Sequence, residues 1–375
     1  MREKENKKPL IPLFAKILLV LAVIALLIFE ISKRNAEFAE WMTSNPGYLL
    51  RRALAFVSNV IPFSLGELLV VLSPLIVISV IVTAARKNGF RARVRFLAGF
   101  LALVSLFYTS YVLMLGVGYQ RTRLNSRLGL PSAEITEQAL ADTMLALKSE
   151  CESLLDEISY LESGSSEANI SFDEMCDEIL EGYRRLEADY PELNIKTFDS
   201  RAKQVYLSRA LTAFEISGVY TFFTGESNVN VYYPDYGTPF TLAHELAHQR
   251  GIARENEANF VAFLVCARAE NAYVRYSAYM NMFEYVSSAL SRTNRDRFRE
   301  IYLTVDPRIR GEISAFNDFY YAHKNELMSK ISDFLNDNYL KASGTEGIIS
   351  YGLVVELCVA YYADKPQCSK TPCNS

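Results

Sequence analysis

Three long apolar runs near the N-terminus constrain this chain more than any other feature. Leu10 to Ile31 is almost unbroken, with Lys16 near its start; a second run covers Leu65 to Ala85 and a third Phe96 to Gly118. About 20 apolar residues wound as a helix match the thickness of a bilayer's hydrocarbon core, and a helix satisfies its own backbone there. The first run is too long for a signal-peptide core and no small-residue cleavage pattern follows it, so it is expected to be retained. Pro74 in the second predicts a kink that membrane helices tolerate. Between the first two runs lies an amphipathic stretch with Trp41, Arg51 and Arg52, expected at the membrane interface or re-entering it, with a fourth short span as the lesser alternative.

The basic residues suggest an orientation. Arg2, Lys4, Lys7 and Lys8 crowd the head and Arg86, Lys87, Arg91, Arg93 and Arg95 crowd the second loop, whereas Lys33, Arg34, Arg51 and Arg52 are spread over a longer first loop. Head and second loop are then cytoplasmic, and a chain with three spans carries residues after about Gln120 on the outer face; Arg121, Arg123 and Arg127 pull weakly the other way. The expected organisation is a membrane region over 1–119, with spans near 10–31, 65–85 and 96–118, followed by an extracytoplasmic domain over 120–375. The localisation expected is a multi-pass protein of the cell membrane. Lys16, Glu30 and Glu67 sit near span ends, as interface anchors do, which argues against a transporter. A formal charge of -4 argues against a nucleic-acid binder.

The remainder reads as mostly helical. Ser132 to Leu161 carries apolar positions at helical spacing, and Ser171 with Glu174 forms a capping box for a helix reaching Pro191. One or two helices follow over Arg254 to Arg292, another runs from Asp306-Pro307 to about Ala342, and a last one covers Ile348 to Tyr362; their charged residues at helical intervals mark core helices rather than spans. From Ser217 to Tyr233 the pattern turns to strand. Gly218 to Phe223 and Asn228 to Tyr233, joined through Thr224-Gly225-Glu226-Ser227, predict a hairpin that either covers the next helix or offers an edge to an extended peptide.

That next helix carries His244-Glu245-Leu246-Ala247-His248. Histidines four apart project from one helix face and can hold one Zn²⁺ together. Glu245, about 100° further round, can reach a metal-activated water without ligating the metal. This is the H-E-x-x-H arrangement of zinc peptidases. Thr238 is expected to cap the helix, Pro239 to open it and Gly251 to end it in a left-handed conformation. A third ligand can fold back from the following helical run: Glu255 or Glu257, which lie about 200° apart on a helix, so that one of them faces the metal. Glu255 is favoured because Asn259, one turn later, can then hydrogen-bond it. Tyr351 or His323 can supply an oxyanion donor, though both come from distant sequence and ordinary packing or surface work accounts for them better. The six cysteines form no paired C-x-x-C knuckle, so a second structural zinc has little support; Cys368 and Cys373 can close a small disulfide or stay free thiols, as Cys266 is expected to.

Glu255-Asn256-Glu257-Ala258-Asn259-Phe260-Val261-Ala262 resembles the Glu-x-x-Ala-Asp/Asn helix that follows H-E-x-x-H in gluzincin-type peptidases, among them membrane-embedded CAAX-processing and heat-shock proteases. There the first Glu is the third zinc ligand, which corresponds to Glu255. Arg254 stands where metzincins have a third histidine and points away from that group. The whole layout most resembles a bacterial membrane family catalogued as domain of unknown function 3810, through the three apolar runs, Ile61-Pro62-Phe63-Ser64-Leu65-Gly66-Glu67, Phe223-Thr224-Gly225-Glu226-Ser227-Asn228-Val229-Asn230, the His244 region and Ser350-Tyr351-Gly352. The resemblance implies a membrane metallopeptidase and supplies no substrate.

The fold expected is therefore mainly α, with N-terminal transmembrane helices and a mostly helical zincin-like domain bearing a small hairpin beside the His244 helix. The function expected is zinc-dependent hydrolysis of peptides or proteins at the membrane surface, with one Zn²⁺ on His244, His248 and Glu255 and with Glu245 as base. The alternative is a zinc-bearing sensor or scaffold that binds an envelope peptide without cutting it.

Overall fold

A computed structural model describes residues 9–131, 134–345 and 353–364. The chain divides into two compact units, one of residues 1–121 with 221–226 and the other of residues 122–220 with 227–375. The first contains the three apolar helices, each long and apolar enough to cross a membrane: α1 (Leu13–Ser32), α4 (Leu65–Ala85) and α5 (Phe90–Met114), with α2 (Ala36–Met42) and α3 (Tyr48–Asn59) between the first two. α5 begins before the expected Phe96, so Arg91, Arg93 and Arg95 lie in its first turns rather than in a loop.

Small residues let α1 and α5 approach closely: Ala15, Ala98 and Ala102 form one buried cluster, and Ala25, Phe29, Val112 and Val117 belong to another. In α4 only Gly66 is buried, which leaves an apolar cylinder suited to lipid. α2 and α3 meet in a π-turn at Thr43–Gly47, where Pro46 lacks the N–H that would continue the ladder. The amphipathic pattern places Arg51 at the membrane interface, but the side chain turns inward. It donates to Thr43 O at 2.7 Å and Met114 O at 3.4 Å, because the carbonyls of a broken ladder need donors where they are buried. At twelve residues α3 is too short to span, while Trp41, Phe56, Val57 and Val60 keep their apolar side chains exposed.

The second unit holds α6 (Leu124–Arg127), α7 (Glu137–Leu154), α8 (Phe172–Asp189), α9 (Ser208–Ala213), α10 (Gly237–Gln249), α11 (Glu255–Cys266), α12 (Ala272–Thr293), α13 (Arg295–Tyr302), α14 (Pro307–His323), α15 (Glu326–Ala342) and α16 (Val354–Asp364). Its core is helix on helix. Leu140, Met144, Leu147, Cys151 and Leu154 put the buried face of α7 against α12, α10 lies along α11, and α16 packs on α7, α11 and α12. α11 is buried almost all round and forms the centre of the unit. The Ser171–Glu174 capping box is present at the start of α8. The segment from Asp306 to Ala342, expected as one helix, breaks at Asn325, whose side chain caps α15 by accepting from the N–H groups of Leu327 and Met328.

Two small sheets complete the unit. β1 (Ser159–Tyr160) pairs antiparallel with β2 (Ser166–Glu167). β3 (Lys203–Gln204), β4 (Gly218–Thr221) and β5 (Glu226–Val229) form a sheet in the order β3-β5-β4, with β3 parallel to β5 and Lys203 opposite Asn228. β3 has no counterpart in the sequence pattern: two residues carry no alternation to read. Residues 221–226, the tip of the β4–β5 hairpin, belong to the first unit. There the Glu226 carboxylate accepts from the N–H groups of Leu65 (3.1 Å) and Gly66 (2.9 Å) at the start of α4, and Phe222 and Phe223 meet Tyr111 and Phe107 of α5 at ring distances of 5.8 and 5.1 Å. Two of the stretches that carried the family resemblance, Ser64-Leu65-Gly66 and Phe223 to Glu226, thus meet each other. Cys151, Cys176 and Cys266 are buried free thiols and Cys358 is buried, while Cys368, Cys373 and Tyr351 lie outside the described residues.

Candidate metal centre

α10 supplies both histidines, and its ends explain where they point. The helix starts at Gly237, not at Pro239, and no side chain caps it from the N-terminal flank. Pro239, in the first turn, has no N–H to satisfy, and the Phe240 N–H donates to Ser277 Oγ of α12 at 3.2 Å, so the expected cap by Thr238 is replaced by a tertiary one. Leu242, Ala243, Leu246 and Ala247 are fully buried, and Tyr183 Oη on α8 donates to Ala243 O at 2.7 Å. At the other end Gly251 takes the left-handed conformation, with φ of 92°. The turn brings Ile252 N–H to Ala247 O at 3.0 Å and Ile252 O to within 2.8 Å of His248 Nδ1. A proton on Nδ1 donated to that carbonyl leaves the Nε2 lone pair of His248 directed away from it, so the turn that ends the helix also sets the tautomer of the second histidine.

α11 begins immediately after this turn and swings Glu255 onto the histidines. His244 Nε2 and His248 Nε2 are 3.0 Å apart, and Glu255 Oε2 lies 3.2 Å from the first and 3.5 Å from the second. Glu257 is turned to the opposite side, where it accepts from Leu124 N–H at 3.0 Å and pairs with Arg254 (2.7 Å) and Arg127 (3.6 Å). The structure therefore brings His244, His248 and Glu255 together and leaves Glu257 out, as the helical twist between two residues requires. Asn259 turns its amide elsewhere than the expected support of Glu255: its Nδ2 donates to Tyr285 Oη at 3.3 Å. His323 has both ring nitrogens engaged, with Phe319 O (2.8 Å) and Tyr232 Oη (3.2 Å), and stacks on Phe319.

The three-atom triangle suits a metal. Ligands about 2.0–2.1 Å from a tetrahedral zinc lie about 3.3 Å from one another, close to each of the three separations here. The donor set, two imidazoles and a carboxylate, leaves one of four positions open. Glu245 Oε2 is buried without a hydrogen-bond partner and so leaves an acceptor for a further polar group at the site; His244 Nδ1, across the ring from Nε2, is likewise unpartnered. The electrostatics agree in sign. Burial opposes charge on His248, yet the Glu255 carboxylate outweighs it and pushes the imidazole up to about 9; burial likewise opposes charge on Glu255, and His248 with His244 holds it well below the usual carboxylate range. The charge balance is that of a cluster that could hold a cation, whether proton or metal.

Glu245 is itself buried and is held by the hairpin. Burial pushes its carboxyl up, against the pull of His244 and His248 and of the Tyr220 N–H that donates to it. Ser227 Oγ donates to Glu245 O at 2.9 Å. Arg250, also buried, closes the end of α10: its guanidinium lies 4.2 Å from the centre of the Tyr183 ring and donates to Leu246 O and Phe198 O, both at 3.1 Å. Burial pulls its pKa down to about 10. Of these supports only Arg250 has a local sign in the sequence, as a basic residue in an apolar position; Ser277, Tyr183 and Tyr220 have none.

The model of the family described as Protein of unknown function (DUF3810) matches residues 48–359. The chain belongs to this family. No curated protein and no solved structure matches it. The match spans α3 to α16, so in this DUF3810 protein the two apolar helices α4 and α5 and the histidine cluster fall within one family-wide stretch of sequence.

Proposed function

We propose that the chain is a membrane-anchored zinc metallopeptidase that hydrolyses peptide bonds with Glu245 as general base. The observation that carries this reading is the triangle of His244 Nε2, His248 Nε2 and Glu255 Oε2, sized for a tetrahedral metal, with a buried carboxylate on the residue after the first histidine. His244, His248 and Glu255 would hold the zinc. When bound there, zinc supplies Lewis acidity that brings the pKa of a water to about 7 and polarises a peptide carbonyl. Glu245 Oε2, unengaged by any donor, takes the proton of the attacking water and passes it to the leaving amine. β4 lies at the edge of its sheet with Val219 exposed, which favours an extended peptide as substrate. The basic residues between α4 and α5 and at the start of α5 favour the cytoplasmic side for that turn, and hence the outer face for the catalytic unit.

The test uses full-length protein in detergent, loaded with zinc and offered a mixed peptide library. Glu245→Gln is expected to keep one zinc per chain while hydrolysis falls by about 10²–10⁴-fold. Wild-type protein that holds zinc and cuts nothing would turn the reading to a zinc-bearing sensor or scaffold, and retained hydrolysis in Glu245→Gln would remove Glu245 as the base.

A further inference from the structure

The hairpin touches Glu245 at three points. A Cβ on Gly218 would stand 2.6 Å from Glu245 Oε1 and 2.7 Å from its Cγ, so only glycine lets β4 lie against that carboxylate. The Tyr220 N–H donates to the carboxylate, and Ser227 Oγ donates to the Glu245 carbonyl. The next residue along each strand belongs to the unit of apolar helices. Thr221, following Tyr220, packs on Gly66, where a Cβ would come within 2.7 Å of its Oγ1; Glu226, preceding Ser227, is buried and bonds the first N–H groups of α4. Gly225 at the tip lies so close to α3 that a Cβ would meet Leu54 Cβ at 2.7 Å.

We infer that the hairpin is a positioning element through which the apolar helices set the placement of Glu245, with Gly218 as its bearing point; this rests on the peptidase reading of the site. Tyr220 is one peptide bond from Thr221, and Ser227 one from Glu226. β4 and β5 are hydrogen-bonded neighbours, so the path from tip to root runs through paired strands. A displacement of about 0.5–1 Å is enough to break a hydrogen bond, and Glu245 depends on two that originate in this hairpin. The metal-holding atoms are anchored otherwise, by the turn at Gly251 and by α11. Movement of α4, through lipid or a membrane partner, would therefore tune the base and leave the metal in place.

The experiment compares full-length wild type with Glu226→Gln, which sets an amide group against one of the two α4 N–H donors, with Gly66→Val, and with Gly218→Ala. Zinc content, hydrolysis and amide hydrogen exchange over residues 217–230 are measured on each. Expected is one zinc per chain throughout, a fall in kcat of about tenfold or more with KM within about twofold, and, in the two tip variants, loss of protection at Tyr220 along with the tip. Exchange that rises over 221–226 while Tyr220 stays protected and kcat is unchanged would overturn the inference. Should Gly66→Val not fold, Glu226→Gln decides alone. Should wild type cut no peptide, the exchange measurement still decides whether tip and root move together, so failure of the peptidase reading is distinguishable from failure of the coupling.

Discussion

Glu255 and Glu257 stand two residues apart on one helix and are expected to fail in different ways when replaced by glutamine. Glu257 has a side chain only 6% exposed and answers two guanidinium groups, Arg254 at 2.7 Å and Arg127 at 3.6 Å, besides the Leu124 N–H at 3.0 Å. Removing one member of a buried charge group leaves the others uncompensated, at a cost of about 3–5 kcal/mol. Glutamine keeps one acceptor for Leu124, which places the loss toward the lower figure. Glu255, by contrast, faces the two histidines and holds the His248 imidazole protonated in the metal-free protein, so Glu255→Gln also costs stability there, but it is set apart by lowering zinc affinity by more than the roughly 10–100-fold that loss of an outer supporting group costs. The assay is zinc per chain after dialysis, by elemental analysis, beside thermal melting of the metal-free protein. A folded Glu257→Gln protein that loses its zinc, or a Glu255→Gln protein that retains it at wild-type affinity, would refute the assignment.

Replacing Arg250 with Ala should destabilise the second unit by about 2–4 kcal/mol, because the carbonyls of Leu246 and Phe198 lose a buried donor and the Tyr183 face is left uncovered; denaturant unfolding of the two proteins checks this. Glu284 on α12 predicts a pH effect. It accepts from Tyr236 Oη at 2.6 Å and keeps partial solvent contact, yet burial of its carboxyl pushes the pKa up to about 7 from an ordinary 4.5. A folded value above the unfolded one means a stability contribution fully present below about pH 4.5 and lost as pH rises through about 7. Glu284→Gln should remove that loss, gaining about 3 kcal/mol over wild type above about pH 8 and little near pH 4.5; melting curves in which the difference between the two proteins does not change with pH would contradict the reasoning.

The apolar helices and the histidine motif are legible because each is written in contiguous sequence. Twenty consecutive apolar residues admit one structure in a bilayer, and two histidines four apart share a helix face whatever surrounds them. The choice between Glu255 and Glu257 is half legible: the helical twist excludes both at once, but which carboxylate faces the histidines depends on how α11 leaves the turn at Gly251. Thr238 as a cap misleads, since local pattern cannot reveal that Ser277, far along the chain, takes the Phe240 N–H. β3 and the break at Asn325 escape the sequence pattern for a related reason, being settled by pairing and capping rather than by periodicity.

What the sequence determined by itself, then, is what short-range geometry dictates: the apolar helices, the His244–His248 pair and the glycine that ends their helix. Only the tertiary structure decided that Glu255 meets the histidines while Glu257 meets two arginines, that Arg250 is an inward clamp, and that one hairpin carries Glu245 contacts at its root and α4 contacts at its tip. Most of those arrangements join residues tens to more than a hundred positions apart. They follow from which buried polar groups find partners once the helices pack, and no local window of sequence contains both members of such a pair.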